Sequence, residues 1–542
     1  GSYYGGLTWL GNKFQIRYKN IGNFEKTGQA WNYISGPNGT ESYKEIWNMG
    51  LGRSNTLLGD YEEVGGKYQL VPFTFRDGRK WDRTTDNFYQ NHNILSATWQ
   101  PSESWSHNIA LHYTYGRGYY KDFRGNKSLS KFGINEPGKT DAVRVKGLTQ
   151  NTYGVVYNVN FKTDEWDIIA GTNLQQFRGS HWGYVEYIKE ALEKKYFGAD
   201  GRYKYYDSDA EKDDYSAYIK ATYTFLTHWN VFADMQYRYV RYTTDGLNDK
   251  FYEKDGKYVN QRLDVDDHFN FFNPKVGVSY TNGGHKVYAS VAMSNREPER
   301  NNYTDNGNYP YPKSEKVIDV EAGYQYDGSN WHAGANFYYM DYDNQLVQTG
   351  ETSDIGEALT TNVKDSYRMG VELTAGWAPL SWLSVEGNAT LSQNKIKDFD
   401  EYVEAYDADW NYVDPVHNHY SKSTLAYSPS AILNGFADFH YQGLSATWHT
   451  NFVSKQYLNN SEFSSMPCYS QSDLHLAYQS DVKKAIGIKN VKIGLDFNNI
   501  FARHYAIMAY DYGTYVGGKR GNWFSYIPAA GFNVMTNLTL RF

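Results

Sequence analysis

One cysteine, Cys468, stands in a chain of 542 residues. A single thiol excludes an intrachain disulfide framework and a multi-cysteine zinc site. Long apolar runs are also missing: none approaches the roughly 18 residues that a membrane-spanning helix requires, so a helical membrane protein is excluded. Basic charge is in deficit. Lys and Arg total 54 against 61 Asp and Glu, for a net charge of -7. No cationic field for nucleic acid is expected from such a balance. Hydrophobic residues make up 40% of the chain and mean hydropathy is -0.72, so a hydropathy scan alone reads as soluble. Gly1 opens the chain without an initiator Met or a charged-then-apolar leader, the pattern of a mature or truncated chain. No nucleophile elbow, P-loop or HExxH motif is present, and an enzyme is not expected. What the chain has in excess is aromatics: 53 Tyr, 27 Phe and 15 Trp, or 18% of residues. That abundance excludes disorder.

The aromatics fall into a two-residue period. Trp105, Ile109, Leu111, Tyr113 and Tyr115 alternate with Ser106, Asn108, Ala110, His112 and Thr114. Trp229, Val231, Ala233, Met235, Tyr237 and Tyr239 alternate with Asn230, Asp234, Gln236 and Arg238, and Tyr367 to Trp377 repeats the pattern. Each run lays an apolar stripe on one strand face and a polar stripe on the other. The stripes are often aromatic at their ends and aliphatic in the middle, as a membrane–water interface on either side of hydrocarbon demands. Runs of roughly 9–13 residues suit a tilted strand crossing a bilayer. The polar stripe carries Lys, Arg, Asp and Glu in mid-strand. A soluble sandwich would bury those charges at several kcal/mol each, whereas a wide barrel wets them.

Tight turns such as Gly11-Asn12, Thr227-His228 and Gln442-Gly443 alternate with long polar stretches such as Glu25–Asn87, Arg117–Leu148, Phe177–Asp214, Thr243–His268, Asn295–Lys313 and Lys397–Tyr427. A rim of turns opposite a rim of long loops is the layout of outer-membrane barrels; a propeller would repeat at a fixed spacing. The expectation is an all-β, transmembrane antiparallel β-barrel with about 19 strands and long extracellular loops, forming one domain over residues 1–542. The first run heads into a tight turn and the last ends on the tight-turn rim, so an odd number of strands is expected ahead of Gly1. If the complete barrel has 22 strands, three are expected ahead of Gly1.

Several segments resemble a known family. The ending Gly531-Phe532-Asn533-Val534-Met535-Thr536-Asn537-Leu538-Thr539-Leu540-Arg541-Phe542 looks like the last strand of TonB-dependent outer-membrane receptors. Leu495-Asp496-Phe497-Asn498-Asn499-Ile500-Phe501, followed by Tyr505, resembles the stretch that precedes it in that family. Tyr115-Gly116-Arg117-Gly118-Tyr119-Tyr120, Asn295-Arg296-Glu297-Pro298 and Met340-Asp341-Tyr342-Asp343-Asn344-Gln345-Leu346-Val347 are similar to segments of receptors common in the Bacteroides group. The resemblance implies a plugged 22-stranded barrel in the bacterial outer membrane. It also implies active uptake of a scarce nutrient (iron-siderophore, haem or cobalamin) and the TonB complex as partner. A plug, a TonB-contacting segment and the first strands are not recognisable in this sequence, which reads as the carboxyl-terminal part of such a receptor. Small nutrient ligands such as a metal chelate and outer-membrane lipid are the other expected partners; no resident cofactor is expected. A passive channel or adhesin-like barrel is the alternative function.

Candidate ligand-binding residues lie in the long stretches. His417 and His419 sit two apart beside Trp410, Tyr420 and several carboxylates, a set suited to a metal or haem iron; chance histidines in a solvated loop would look the same. His181 and Trp182 pair an imidazole with a ring able to stack on a planar ligand. Arg296 and Arg300 suit a carboxylate or catecholate, or an ion-pair network on the inner wall. Acidic Asp207–Asp214 and Asp264–Asp267 could hold Ca²⁺, without EF-hand spacing.

Overall fold

The computed structural model describes residues 1–28, 33–51, 58–189, 192–306, 309–352, 358–485, 487–511 and 513–542. Among these residues one antiparallel sheet takes in twenty strands. One of the twenty is the two-residue piece Ser423–Thr424, which extends a ladder on the Leu383–Ile396 strand. The other nineteen, the number expected, form a meander in which each strand pairs with its neighbours in the chain. Ser2–Leu10 pairs with Phe14–Gly28 and Asn533–Arg541 with Ile488–Asn498; no described ladder joins the first strand to the last.

The apolar stripe faces outward and none of the described residues covers it. Leu111, Ile219, Met235, Val276 and Leu373 are between 42% and 52% exposed. Fully buried side chains such as Ile46, Ile134, Ile188, Leu458 and Tyr510 lie instead in the loops and loop-side strand ends. So broad an exposed apolar belt is not tolerated against water; lipid is the solvent that satisfies it, and the ladders pair the backbone amides of every strand between the first and the last. No helix among the described residues is long and apolar enough to cross a membrane.

Two aromatic girdles bound the belt. Beside the tight turns, Trp105 lies 4.8 Å from Phe161, Trp166 4.6 Å from Tyr223, Trp229 5.0 Å from Tyr280 and Tyr326 4.4 Å from Trp331. Toward the loops, Tyr215 faces Tyr239 at 6.3 Å and Tyr339 faces Tyr367 at 6.0 Å. Along one strand the girdles are ten residues apart, from Trp229 to Tyr239, which in a tilted strand is about 25 Å of hydrocarbon.

On the opposite, luminal face, rings lie flat on glycines directly across the ladder. Tyr288 covers Gly323, where an added Cβ would sit 2.4 Å from the ring. Tyr338 covers Gly370, Tyr218 covers Gly171 and Phe232 covers Gly277 in the same way.

The long polar stretches differ from expectation. Four of them, Arg117–Leu148, Phe177–Asp214, Thr243–His268 and Lys397–Tyr427, are largely strand, not loop. Trp229–Lys254 and Lys257–Asn282 form one hairpin that turns only at Asp255–Gly256, so nearly all of Thr243–His268 is paired. Trp166–Ile188 and Tyr203–Phe225 likewise run on past the lipid. The reason is physical. Outside the hydrocarbon both strand faces are wet, the apolar alternation stops, and the hydrogen-bond ladder continues without it.

Candidate functional site: the loop-side mouth

Above the loop-side girdle the described residues build four small cores. One draws Ile34, Ile46, Leu51, Leu458, Met466, Ala509 and Tyr526 from three distant loops. Its helix, Tyr43–Asn48, starts at a capping box in which Ser42 Oγ accepts from the Glu45 amide and the Glu45 carboxylate accepts from the Ser42 amide. Trp47 stacks on His504 at 3.7 Å. The second core gathers Leu129, Phe132, Ile134, Val185, Ile188 and Tyr205. Packed loops of this kind hold a mouth in shape.

A charged latch ties three loops together. Arg520 grips Glu401 through both guanidinium amines, at 2.7 and 2.9 Å, and lies 3.9 Å from the centre of the Phe463 ring. Ser461 donates to the same carboxylate at 2.5 Å. Burial works against the Glu401 charge, but the bonds from Arg520 and Ser461 outweigh it and hold the carboxyl below its ordinary range.

The hairpin of Phe399–Tyr406 and Tyr412–Tyr420 carries four expected site residues. His417 and His419 project to one side, as their spacing requires, and share a single carboxylate oxygen of Asp400, at 2.8 and 3.0 Å. Those two bonds hold the Asp400 carboxyl below its ordinary range, and the bond to Asp400 raises the His419 pKa. Among the described residues no group of three His, Cys, Asp or Glu is arranged to hold a metal ion; the imidazoles are engaged in hydrogen bonds instead. Tyr420 lies on the other face, 6.1 Å from Phe399 and donating to Glu401 at 3.4 Å. Trp410 occupies the turn at φ 65°, 5.8 Å from Tyr406 and 6.3 Å from Trp523.

His181 and Trp182 do not lie in a loop. Both belong to the Trp166–Ile188 strand, so they point to opposite faces and cannot sandwich one ligand. Trp182 is on the outer face, over Gly147 and 5.6 Å from Tyr184. His181 is on the inner face, between Leu148 and Ser208 across the ladders.

Arg296 and Arg300 are also not a joint clamp. The His285–Arg296 strand ends at Arg296, whose Nε meets Glu315 Oε1 at 3.0 Å. Glu297 turns to the inner wall, accepts from Arg238 at 2.8 and 2.9 Å and pairs with Lys212. Arg300 reaches further back to Thr244 and Ser208. Thus His181 and Arg300, far apart in sequence, arrive at the same Ser208. The acidic segments are paired strand residues: Arg178 with Asp213, Arg238 with Asp214, Arg241 with Asp266, and Asp267 accepting from Tyr303 and Tyr311.

The barrel model of TonB-dependent receptors matches residues 5–500. The chain belongs to that family. The family of this TonB-dependent receptor is one of receptors and transporters built on outer-membrane barrels. No curated protein sequence matches it. Solved structures show the same fold at low identity. The ferric yersiniabactin uptake receptor FyuA from Yersinia pestis is 12% identical, with 99% of this chain and 70% of FyuA covered at a TM-score of 0.64. The siderophore receptor PiuA from Acinetobacter baumannii is 13% identical, with 100% and 74% covered at 0.63. The ferric-catecholate import receptor Fiu from E. coli is 13% identical, with 100% and 74% covered at 0.62.

Proposed function

We propose that this receptor resides in the bacterial outer membrane and takes up a small, scarce nutrient chelate, of the iron-siderophore, haem or cobalamin class, by transport coupled to the TonB complex. The observation that carries the proposal is the family match over residues 5–500. The packed loops and the charged inner wall beneath them support a mouth that receives ligand. Solved receptors of the same fold are named for ferric chelates, and that supports iron as the first cargo to test. His181 and Arg300 are the expected site residues with the best claim to ligand contact. Arg296, Tyr420, His417 and His419 are engaged by carboxylates, and Trp182 faces outward.

Cells carrying the complete gene are given labelled ferric chelates, haem and cobalamin, with and without collapse of the proton gradient. Accumulation of one of them that stops with the gradient is the expected result. Uptake that continues unchanged, together with swelling of liposomes in small sugars, would make the protein a passive channel and overturn the proposal.

A further inference from the structure

Arg300 has no counter-ion among the described residues, unlike the nearby cations Arg144, Lys146 and Arg238. Its Nη1 donates to Thr244 Oγ1 at 2.8 Å and its Nη2 to Ser208 Oγ at 3.0 Å. Both acceptors are neutral, and no described carboxylate forms an ion pair with it. Around it the pattern is otherwise regular: Arg144 meets Asp122 at 2.9 Å, Lys146 meets Asp249 at 2.6 Å and Arg238 meets Asp214 at 2.8 Å. A guanidinium carries five N–H donors in one plane. Two are engaged with hydroxyls, and three remain.

A second unsatisfied group lies beside it. His181 Nδ1 is buried and has no hydrogen-bond partner. Ser208, which holds Arg300, is the direct cross-strand neighbour of His181. Burial first, then the charges of Arg300 and Lys146, push the His181 pKa down to about 3. The imidazole is neutral at any physiological pH and keeps one N–H donor to give. A partly buried cation without an anion, next to an orphaned ring nitrogen, is costly unless something arrives to satisfy both.

We infer that Arg300, His181 and Ser208 form a receptor for a carboxylate group, so that the nutrient this barrel takes up presents an uncoordinated carboxylate, as a polycarboxylate chelate with a pendant arm does and a neutral hydroxamate chelate does not. The ligand class rests on the uptake proposal above; the anion site itself does not. A planar carboxylate matches the guanidinium fork better than a spherical ion does.

The test reads His181 directly. The full-length receptor, labelled at histidine, is held in detergent micelles, and the His181 ring signal is assigned with H181Q. Acetate and inorganic phosphate are titrated separately at constant ionic strength set with chloride. Acetate should shift the signal saturably and raise the His181 pKa by about one unit or more, since a bound anion favours the imidazolium. R300Q should abolish the shift, and R300K, which keeps the charge but loses the fork, should retain a weakened one. Heat-modifiable migration of each variant confirms a folded barrel. A His181 signal indifferent to acetate, an unchanged response in R300Q, or a response to phosphate alone would each overturn the carboxylate receptor. The two proposals fail separately. Loss of TonB-driven uptake with the acetate response intact defeats only the transport proposal. TonB-driven uptake beside a silent His181 defeats only this one.

Discussion

Leu373 and Thr374 are adjacent on one strand, near the middle of the stretch from Tyr367 to Trp377, and point to opposite faces. Leu373 sits between Ala335 and Ala389, 42% exposed on the outer stripe. Thr374 sits between Gly334 and Asn388 on the inner face, where Gly334 leaves room for a larger neighbour. Arginine introduced at either site therefore lies at nearly the same depth, and only its solvent differs. Leu373→Arg places a guanidinium in hydrocarbon near the midplane and should cost about 2–4 kcal/mol. Thr374→Arg places it in a wet lumen and should cost about 1 kcal/mol or less, in the manner of an ordinary surface substitution. The measurement is reversible folding into phospholipid vesicles along a urea gradient, followed by tryptophan fluorescence, with both variants on the same lipid. Equal costs, or a greater cost for Thr374→Arg, would mean that the outer stripe does not touch lipid, and the barrel assignment would fall with it.

Three further outcomes follow from other parts of the molecule. Gly323→Ala must displace the Tyr288 ring and its 2.8 Å bond to Asn336, at about 1–3 kcal/mol; Gly435→Ala, with nothing within 4 Å, should be nearly neutral in the same vesicle assay. Glu401→Gln breaks the bidentate latch to Arg520 and should free the 399–420 hairpin for protease cleavage while the barrel's heat-modifiable migration stays unchanged; equal protection in both proteins would dismiss the latch. His181 is neutral when folded, with a pKa of about 3, and protonates near 6.5 when unfolded. Its contribution is full above that pH and declines as acid is added. At pH 5 wild type should therefore lose about 2 kcal/mol relative to its pH 7 value that H181Q does not lose, and parallel curves would refute it.

The wall was legible because lipid on one side and water on the other write an unambiguous two-residue period, as in Trp229 to Tyr239. Its height was not legible. Past Tyr215 and Tyr239 both faces are hydrated, and Asp207–Asp214 reads as loop although it is paired throughout with Leu247 to Val240 of the next strand. The same blindness put His181 and Trp182 together in a loop. The mouth was legible as residue types only. Arg520 and Glu401 are 119 positions apart, and nothing local to either marks the other. Arg300 was singled out for its charge, whereas its neutral partners, Thr244 and Ser208, lie 56 and 92 positions away in the chain.

The glycine seats on the luminal face have a consequence for assembly. A one-residue slip between strands turns the greasy side inward and is rejected by the membrane itself. A two-residue slip keeps inside in and outside out, and hydropathy cannot detect it. Tyr288 can: moved by two it would meet Glu321 or Gln325 instead of the bare backbone of Gly323, and Tyr338, Tyr218 and Phe232 face the same misfit on their own partners. The seats act as a proofreading code, distributed around the wall, for the one threading error that the bilayer lets pass.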